Sequence, residues 1–77
     1  MQNVVAQFIS INPEIMHGKP CVKGTRIPVS LVVNMVADGM SEAEILKDYP
    51  SLNHEAINAS LKYAAMLTEF ETTRLHD

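Results

Sequence analysis

Residues 40–54 read MSEAEILKDYPSLNH and predict a short helix, a tight corner and the start of a second helix. Ser41 is a good N-terminal cap, and Glu44, three residues later, completes a capping box. Pro50 ends the short helix, because proline has no N–H for the helical hydrogen-bond pattern. Asn53 then caps the second helix. The segment therefore predicts a helix-turn-helix.

A long helix is predicted after this corner and a short apolar helix before it. Residues 54–75 contain no glycine or proline, so the last helix can extend to about 33 Å at 1.5 Å per residue. Pro28 suits the first turn of the earlier helix, and Gly39 suits its left-handed end. Residues 29–38 are apolar on nearly every side, so we expect this helix to be buried over most of its surface. Three helices, the last one longest, are typical of a homeodomain-like core.

The N-terminal third of the chain predicts a short, irregular β-hairpin. Residues 8–12 are rich in apolar and β-branched side chains, and short extended pieces fit around residues 21–22 and 26–27. Two such strands are marginal in water, so they must pack on the helices. The predicted fold is mainly α, a single domain over residues 1–77 with a hairpin at about 8–27 and a three-helix core at about 28–75.

The composition predicts a small cytoplasmic protein that associates with itself. The chain has 77 residues, of which 5% are aromatic, so its core must be aliphatic and small. Domains with such cores often gain stability by oligomerising, and we expect a homodimer. Cys21 is the single cysteine, which fits a reducing compartment. The sequence contains no apolar run of membrane-spanning length, and its first residues do not resemble a signal peptide.

The last predicted helix has two apolar stripes when its residues are placed at 100° intervals. One stripe consists of Ile57, Leu61, Ala64 and Leu75, and the adjoining stripe consists of Ala56, Ala59, Tyr63, Met66, Leu67 and Phe70. One small core does not need both stripes. We therefore expect the second stripe to form the dimer surface, with Tyr63, Met66 and Phe70 as contact residues.

The polar face of the same helix is the candidate DNA-reading surface. Its first turns carry His54, Glu55, Asn58 and Lys62. Asparagine can pair with adenine, and lysine can contact guanine or a phosphate. The net charge of −3 opposes DNA binding, as do the acids on the preceding helix, because phosphate neutralisation supplies most non-specific affinity. The alternative is that these residues form only the solvated face of the helix.

A basic loop supplies the positive charge of the N-terminal half. Residues 1–37 have three bases and one acid, a net charge of +2, whereas residues 38–77 have three bases and eight acids, a net charge of −5. The bases are Lys19, Lys23 and Arg26. They can form an anion clamp for DNA phosphates or for carboxylates of a protein partner, with Arg26 as the bidentate contact. Alternatively, the loop glycines form turns, the lysines are solvated and Arg26 anchors the hairpin by bonding backbone carbonyls.

Catalytic and metal sites are not expected. The loop lacks the residue order of a P-loop. His17 and Cys21 are too few for a zinc site, and the other histidines are distant in sequence. A small thiol or histidine enzyme using Cys21 and His17 stays a remote alternative. We expect no enzyme, no cofactor and no metal.

Residues 15–29, IMHGKPCVKGTRIPV, resemble the bacterial family called domain of unknown function 433. Further matching segments are DGMS at 38–41, EIL at 44–46, DYP at 48–50 and LKYAA at 61–65. The resemblance implies a homeodomain-like trihelical fold with a short hairpin, and an antitoxin beside a PIN-like ribonuclease toxin. The basic loop or Arg26 would then occupy the acidic metal site of the nuclease.

The predicted function is an antitoxin-like helix-turn-helix protein that binds DNA, a PIN-like ribonuclease toxin, or both, as a dimer. The candidate DNA-binding residues are His54, Asn58, Lys62, Lys19, Lys23 and Arg26. The candidate partner-binding residues are Arg26, Tyr63, Met66 and Phe70. The alternative function is a protein–protein interaction module that binds no nucleic acid.

Overall fold

The structure is a computed structural model that describes residues 4–75, with side chains described for residues 4–69. In chain order its elements are α1 (Val4–Phe8), β1 (Ile9–Ser10), a single 3-10 turn (Met16–Gly18), β2 (Cys21–Val22), α2 (Val29–Ala37), α3 (Glu42–Asp48) and α4 (His54–Leu75). The predominance of helix over one two-stranded antiparallel sheet confirms the predicted fold class. None of the helices in the described part is both long and apolar enough to cross a bilayer.

Both caps of the helix-turn-helix are present. The Ser41 hydroxyl accepts a hydrogen bond from the Glu44 N–H at 3.1 Å, and the Ser41 N–H donates to Glu44 Oε1 at 2.8 Å. At the start of α4, Asn53 Oδ1 accepts from the Ala56 N–H at 2.7 Å. Caps of this kind satisfy N–H groups that a helix start leaves without partners. The predicted corner between α3 and α4 is therefore confirmed.

The main core lies where β2, α2, α3 and the first turns of α4 meet. Its buried members are Val22, Val32, Met35, Ile45, Leu52, Ala56 and Ile57. Ile45 and Val32 have no exposed surface, so they sit at its centre. Met40, the residue before the α3 cap, packs against this cluster, which contains Ile45, in the manner of a hydrophobic staple. The core thus fixes the angle between the two helices of the motif.

Helix α2 is buried on one face, not over most of its surface. Val29, Val32 and Met35 are buried, whereas Val33 is half-buried and Val36 is exposed. The prediction of near-complete burial was wrong because a domain of this size has too few elements to cover both sides of a central helix.

A second, smaller cluster joins the N-terminus to α4, and the sequence pattern did not predict it. Ile9, Val29 and Ala59 are its buried members, and side chains of α1 pack against them. A five-residue helix is unstable alone and too short to show a helical period. Helix α1 therefore forms through packing on α4. Lys23 also ties it down, since the ammonium donates to the Ala6 carbonyl at 2.9 Å.

The hairpin is present, with shorter strands than predicted. Ile9 pairs with Val22, and the next pair is Ser10 with Cys21. The predicted strand over residues 8–12 shrinks to two residues because Asn12 begins a turn in which its side-chain oxygen accepts from the Glu14 N–H at 2.9 Å. On its other edge β2 bridges to residues 27–28, so it lies at the centre of this small β unit.

Candidate binding sites

Arg26 follows a tight turn that is fixed by four hydrogen bonds. The Val22 carbonyl accepts from the Thr25 N–H at 3.0 Å and from the Thr25 hydroxyl at 2.8 Å. The Ile27 N–H donates to the same hydroxyl at 3.0 Å, and the Val22 N–H donates to the Ile27 carbonyl at 2.9 Å. Gly24 has a φ of +81°, a conformation that side chains rarely adopt. The backbone on both sides of Arg26 is therefore held in one shape.

The three bases of the loop have different environments. Lys23 anchors α1 through the Ala6 carbonyl. Lys19 is exposed at the rim of a groove. Arg26 is exposed, and its guanidinium forms no hydrogen bond or ion pair within the part of the chain whose side chains are described. Within the described side chains Arg26 thus does not anchor the hairpin, whereas Lys23 has a structural contact, with α1.

The polar face at the start of α4 lies at the surface, but its histidine is already engaged. His54 Nδ1 lies 2.9 and 3.0 Å from the two carboxylate oxygens of Glu42 on α3. His54 Nε2 lies 3.1 Å from the amide nitrogen of Asn58, so in the neutral ring Nε2 accepts from Asn58 while Nδ1–H donates to Glu42. Lys62 and Glu55 are exposed on the same helix. The structure thus brings four sequence-predicted residues to one face and adds an acid from α3.

Glu42 raises the pKa of His54 above its usual 6.5, through its hydrogen bond first and its charge second. The Glu42→Gln variant is expected to move this pKa back toward 6.5, since the amide keeps an acceptor and removes the charge. A pKa raised by folding gives stability that is fully present below the unfolded pKa and is lost as the pH rises through the folded pKa. The stability difference between wild type and variant should therefore be largest near pH about 5.5 and shrink by about pH 8.

Histidine NMR titration and urea unfolding at both pH values measure this effect. Glu55→Gln is the matched control, because Glu55 raises the same pKa by charge alone and as the smallest contribution. An unchanged His54 pKa in Glu42→Gln, or an equal shift in Glu55→Gln, would contradict the observed pair.

The predicted dimer stripe divides into a covered half and an exposed half. Ala56 and Ala59 are buried within the protomer, and Tyr63 is half-buried against the second cluster. Met66 is 44% exposed, and the side chain of Phe70 lies outside the described residues. The first half of the stripe is therefore core, whereas Met66 and Leu67 of the second half lie at the surface. The sequence could not reveal this because the cover of Ala59 comes from β1 and α2, together with α1, which was not predicted.

A mainly apolar groove of about 410 Å³ runs between α2 and α4. The residues that line it are Lys19, Pro20, Val29, Ser30, Val33, Asn34, Tyr63, Ala64 and Leu67. Sequence reasoning assigned Leu67 and Tyr63 to an apolar stripe but did not place α2 beside it. The groove therefore emerges only from the tertiary packing of the two helices.

Cys21 and His17, the two residues named as a remote catalytic alternative, have different environments. Cys21 is buried, and its thiol donates to the Lys19 carbonyl at 3.3 Å. His17 is exposed in the 3-10 turn with a φ of 57°. In the described residues, no three histidine, cysteine or acidic side chains are placed to hold a metal ion. The surfaces with evident binding chemistry are the Arg26 turn, the α4 polar face and the groove.

Comparison with known proteins identifies the family. The family described as "Protein of unknown function (DUF433)" matches residues 9–64. The crystal structure of a DUF433 member protein from Anabaena variabilis ATCC 29413 aligns with a TM-score of 0.74 and 29% identity, over 99% of this chain and 71% of that chain. Uncharacterized protein y4eO of Sinorhizobium fredii (strain NBRC 101917 / NGR234) is 40% identical over 58 residues, 75% of this chain, and the match spans 26% of that relative. The chain belongs to the DUF433 family, as the resemblance predicted.

Proposed function

We propose that the chain is a non-catalytic, antitoxin-like binding domain that uses Arg26 to engage carboxylates of a PIN-like ribonuclease. The observation that carries this proposal is the exposed guanidinium on a rigid turn, with no partner within the described side chains. A side chain whose backbone is already ordered loses less entropy on binding than one on a mobile loop. Arg26 is in this sense prepared for a contact outside the protomer.

The chemistry of arginine favours a carboxylate-rich partner. Its planar guanidinium donates two parallel hydrogen bonds to a carboxylate, a geometry that lysine cannot reproduce. Metal-dependent nucleases gather carboxylates to hold their catalytic cations. An arginine inserted there would occupy the ligands that the cation needs. Inhibition by this route requires no catalytic group on the antitoxin, in accord with a chain proposed not to be an enzyme.

The charge around the helix-turn-helix favours a protein partner over DNA. Glu42 and Glu44 lie exposed in the first turn of α3, and Glu55 lies exposed in the first turn of α4. All three carboxylates would repel phosphates near the corner, where such motifs usually approach the duplex. His54 is hydrogen-bonded to Glu42 and Asn58, so a contact between His54 and a DNA base would require breaking these hydrogen bonds.

The Arg26→Ala variant is expected to weaken binding to the ribonuclease roughly tenfold to a hundredfold, because a charged, bidentate contact contributes roughly 1.5–3 kcal/mol. Titration calorimetry with a purified PIN-like ribonuclease measures the loss. The affinity of Arg26→Lys should fall between those of the wild type and Arg26→Ala, since lysine keeps the charge but cannot donate two parallel hydrogen bonds to one carboxylate. Lys47→Ala, an exposed base on α3, is the matched control. Equal losses in Lys47→Ala and Arg26→Ala, or none in either, would refute the assignment.

DNA binding is the second candidate, and one observation favours it. The corner is rigidly capped, and Asn58 and Lys62 both lie exposed on α4. The same protein samples, assayed on promoter DNA at about 50 mM salt, decide between the candidates. A sequence-dependent shift that Lys62→Ala weakens would establish the DNA function. If no shift is detectable even at that low salt, DNA binding is excluded and protein binding is the remaining candidate function.

A further inference from the structure

The described side chains in the second half of α4 lie at the surface of the protomer. Buried and half-buried positions on this helix continue to Ala64, and every residue from Ala65 to Glu69 is exposed. We call residues 65–75 the arm. Met66 and Leu67 in this stretch are large, apolar and exposed. Because adjacent exposed apolar side chains are typical of interaction surfaces, we expect another molecule to cover them.

The groove between α2 and α4 lies beside the base of the arm. Val33, Tyr63 and Ala64 form its apolar wall, and Leu67 continues this wall along the arm. Leu67 is nevertheless 59% exposed, so it also projects toward anything that approaches the groove. One surface patch therefore contains both a cavity for an aliphatic side chain and a side chain that fits such a cavity.

We infer that a second copy of the chain covers this patch, with the two α4 helices crossing antiparallel at a twofold axis. In a twofold interface the same patch of each copy meets its equivalent, so an inserted side chain and the cavity that receives it must both lie on that patch. Ala64 and Leu67 are three residues apart and therefore share a helix face. Across the axis, each Leu67 enters the groove of the other copy over its Ala64. The small alanine leaves the space that the leucine fills.

The charges support a second copy as the occupant. Lys19 is the charged residue of the groove lining and lies exposed at its rim. The arm, residues 65–75, contains two acids and one arginine, a net charge of −1. The antiparallel arrangement directs the acidic arm of each copy past the groove of the other. Complementary charge favours this register and fixes the direction of approach.

This interface differs from the dimer surface that the sequence predicted. The predicted stripe began at Ala56 and Ala59, which are sealed inside the protomer. The inferred surface uses Val33 of α2 and the sequence-predicted Tyr63 as walls, and Leu67 as the inserted side chain. It does not include Arg26, so it is independent of the proposed function.

Sedimentation equilibrium and light scattering from about 1 to 200 μM test the inference, a range that brackets the micromolar dissociation constants common for small interfaces. The wild type is expected to be a dimer in the upper part of this range. Leu67→Glu, which places a charge in the groove of the other copy, should weaken dimerisation at least tenfold. Lys19→Glu should weaken it several-fold. Because both residues are exposed, circular dichroism should show unchanged folding.

Ala65→Glu is the matched control, since it adds the same charge to an exposed position on the opposite side of the arm. It should leave the dimer intact, and so should Arg26→Ala. A wild type that is monomeric at 200 μM would overturn the inference and assign the groove to a different molecule, such as an amphipathic helix of another protein. A dimer that survives Leu67→Glu, or dissociates equally with Ala65→Glu, would also overturn it.

Discussion

The Ile45→Ala variant is expected to lose about 2–5 kcal/mol of stability, as large-to-small substitutions in a packed core do. Ile45 has no exposed surface and lies between α2, α3 and the start of α4. A chain of 77 residues has a total stability of about 4–12 kcal/mol, at roughly 0.05–0.15 kcal/mol per residue. The loss is a large share of that total. Urea unfolding followed by circular dichroism should show a sharply lower midpoint with a similar slope.

Ile11→Ala is the matched control, because the chemical change is identical and Ile11 is 59% exposed. It should change the free energy of unfolding by less than about 0.5 kcal/mol, as surface substitutions usually do. Similar losses in both variants would mean that Ile45 is not the centre of the core. The comparison thus shows how much of the loss comes from the buried position rather than from the chemical change itself.

The helix-turn-helix could be predicted from the sequence because its signals are local. Ser41 and Glu44 lie three residues apart, and one helical turn brings them together whatever the rest of the chain does. Asn53 likewise caps α4 using the N–H of a residue three positions later. Such short-range bonds depend on spacing alone. These local signals are enough to predict the two helices and the corner without knowledge of any tertiary contact.

The elements that depend on distant contacts were not predicted. Helix α1 is too short to carry a periodic signal, and its stability comes from α4 and from Lys23, which is 17 residues away from the carbonyl it contacts. The Glu42–His54 pair joins residues 12 positions apart across the corner. Residue spacing does not distinguish these contacts from the many other pairs of similar residues in the chain. Packing therefore decided them.

The candidate sites show the same division. The sequence singled out Arg26 and the two lysines as one basic loop, yet packing assigned Lys23 to an anchor and left Arg26 exposed. The sequence also grouped Ala59 with Leu67 in one stripe. In the folded protomer α1, β1 and α2 cover Ala59, whereas Leu67 stays exposed. Residue type and period located the surfaces. Which side chains remain available to a partner is a property of the folded protomer.

The Ala59→Asp variant tests that division directly, and it is expected to cost about 3–5 kcal/mol, as uncompensated buried charges do. Ala59 has no exposed surface and lies where α4 meets β1 and α2. Because its cover comes from the same protomer, the loss should not change with protein concentration, whereas an alanine at a dimer surface would give a loss that depends on concentration. Thermal unfolding at about 2 and 200 μM separates the two. Ala65→Asp, on the exposed side of the same helix, should change stability little. If Ala59→Asp proved as mild as Ala65→Asp, or harmful at one concentration only, α1 and β1 would not be what covers this face of α4.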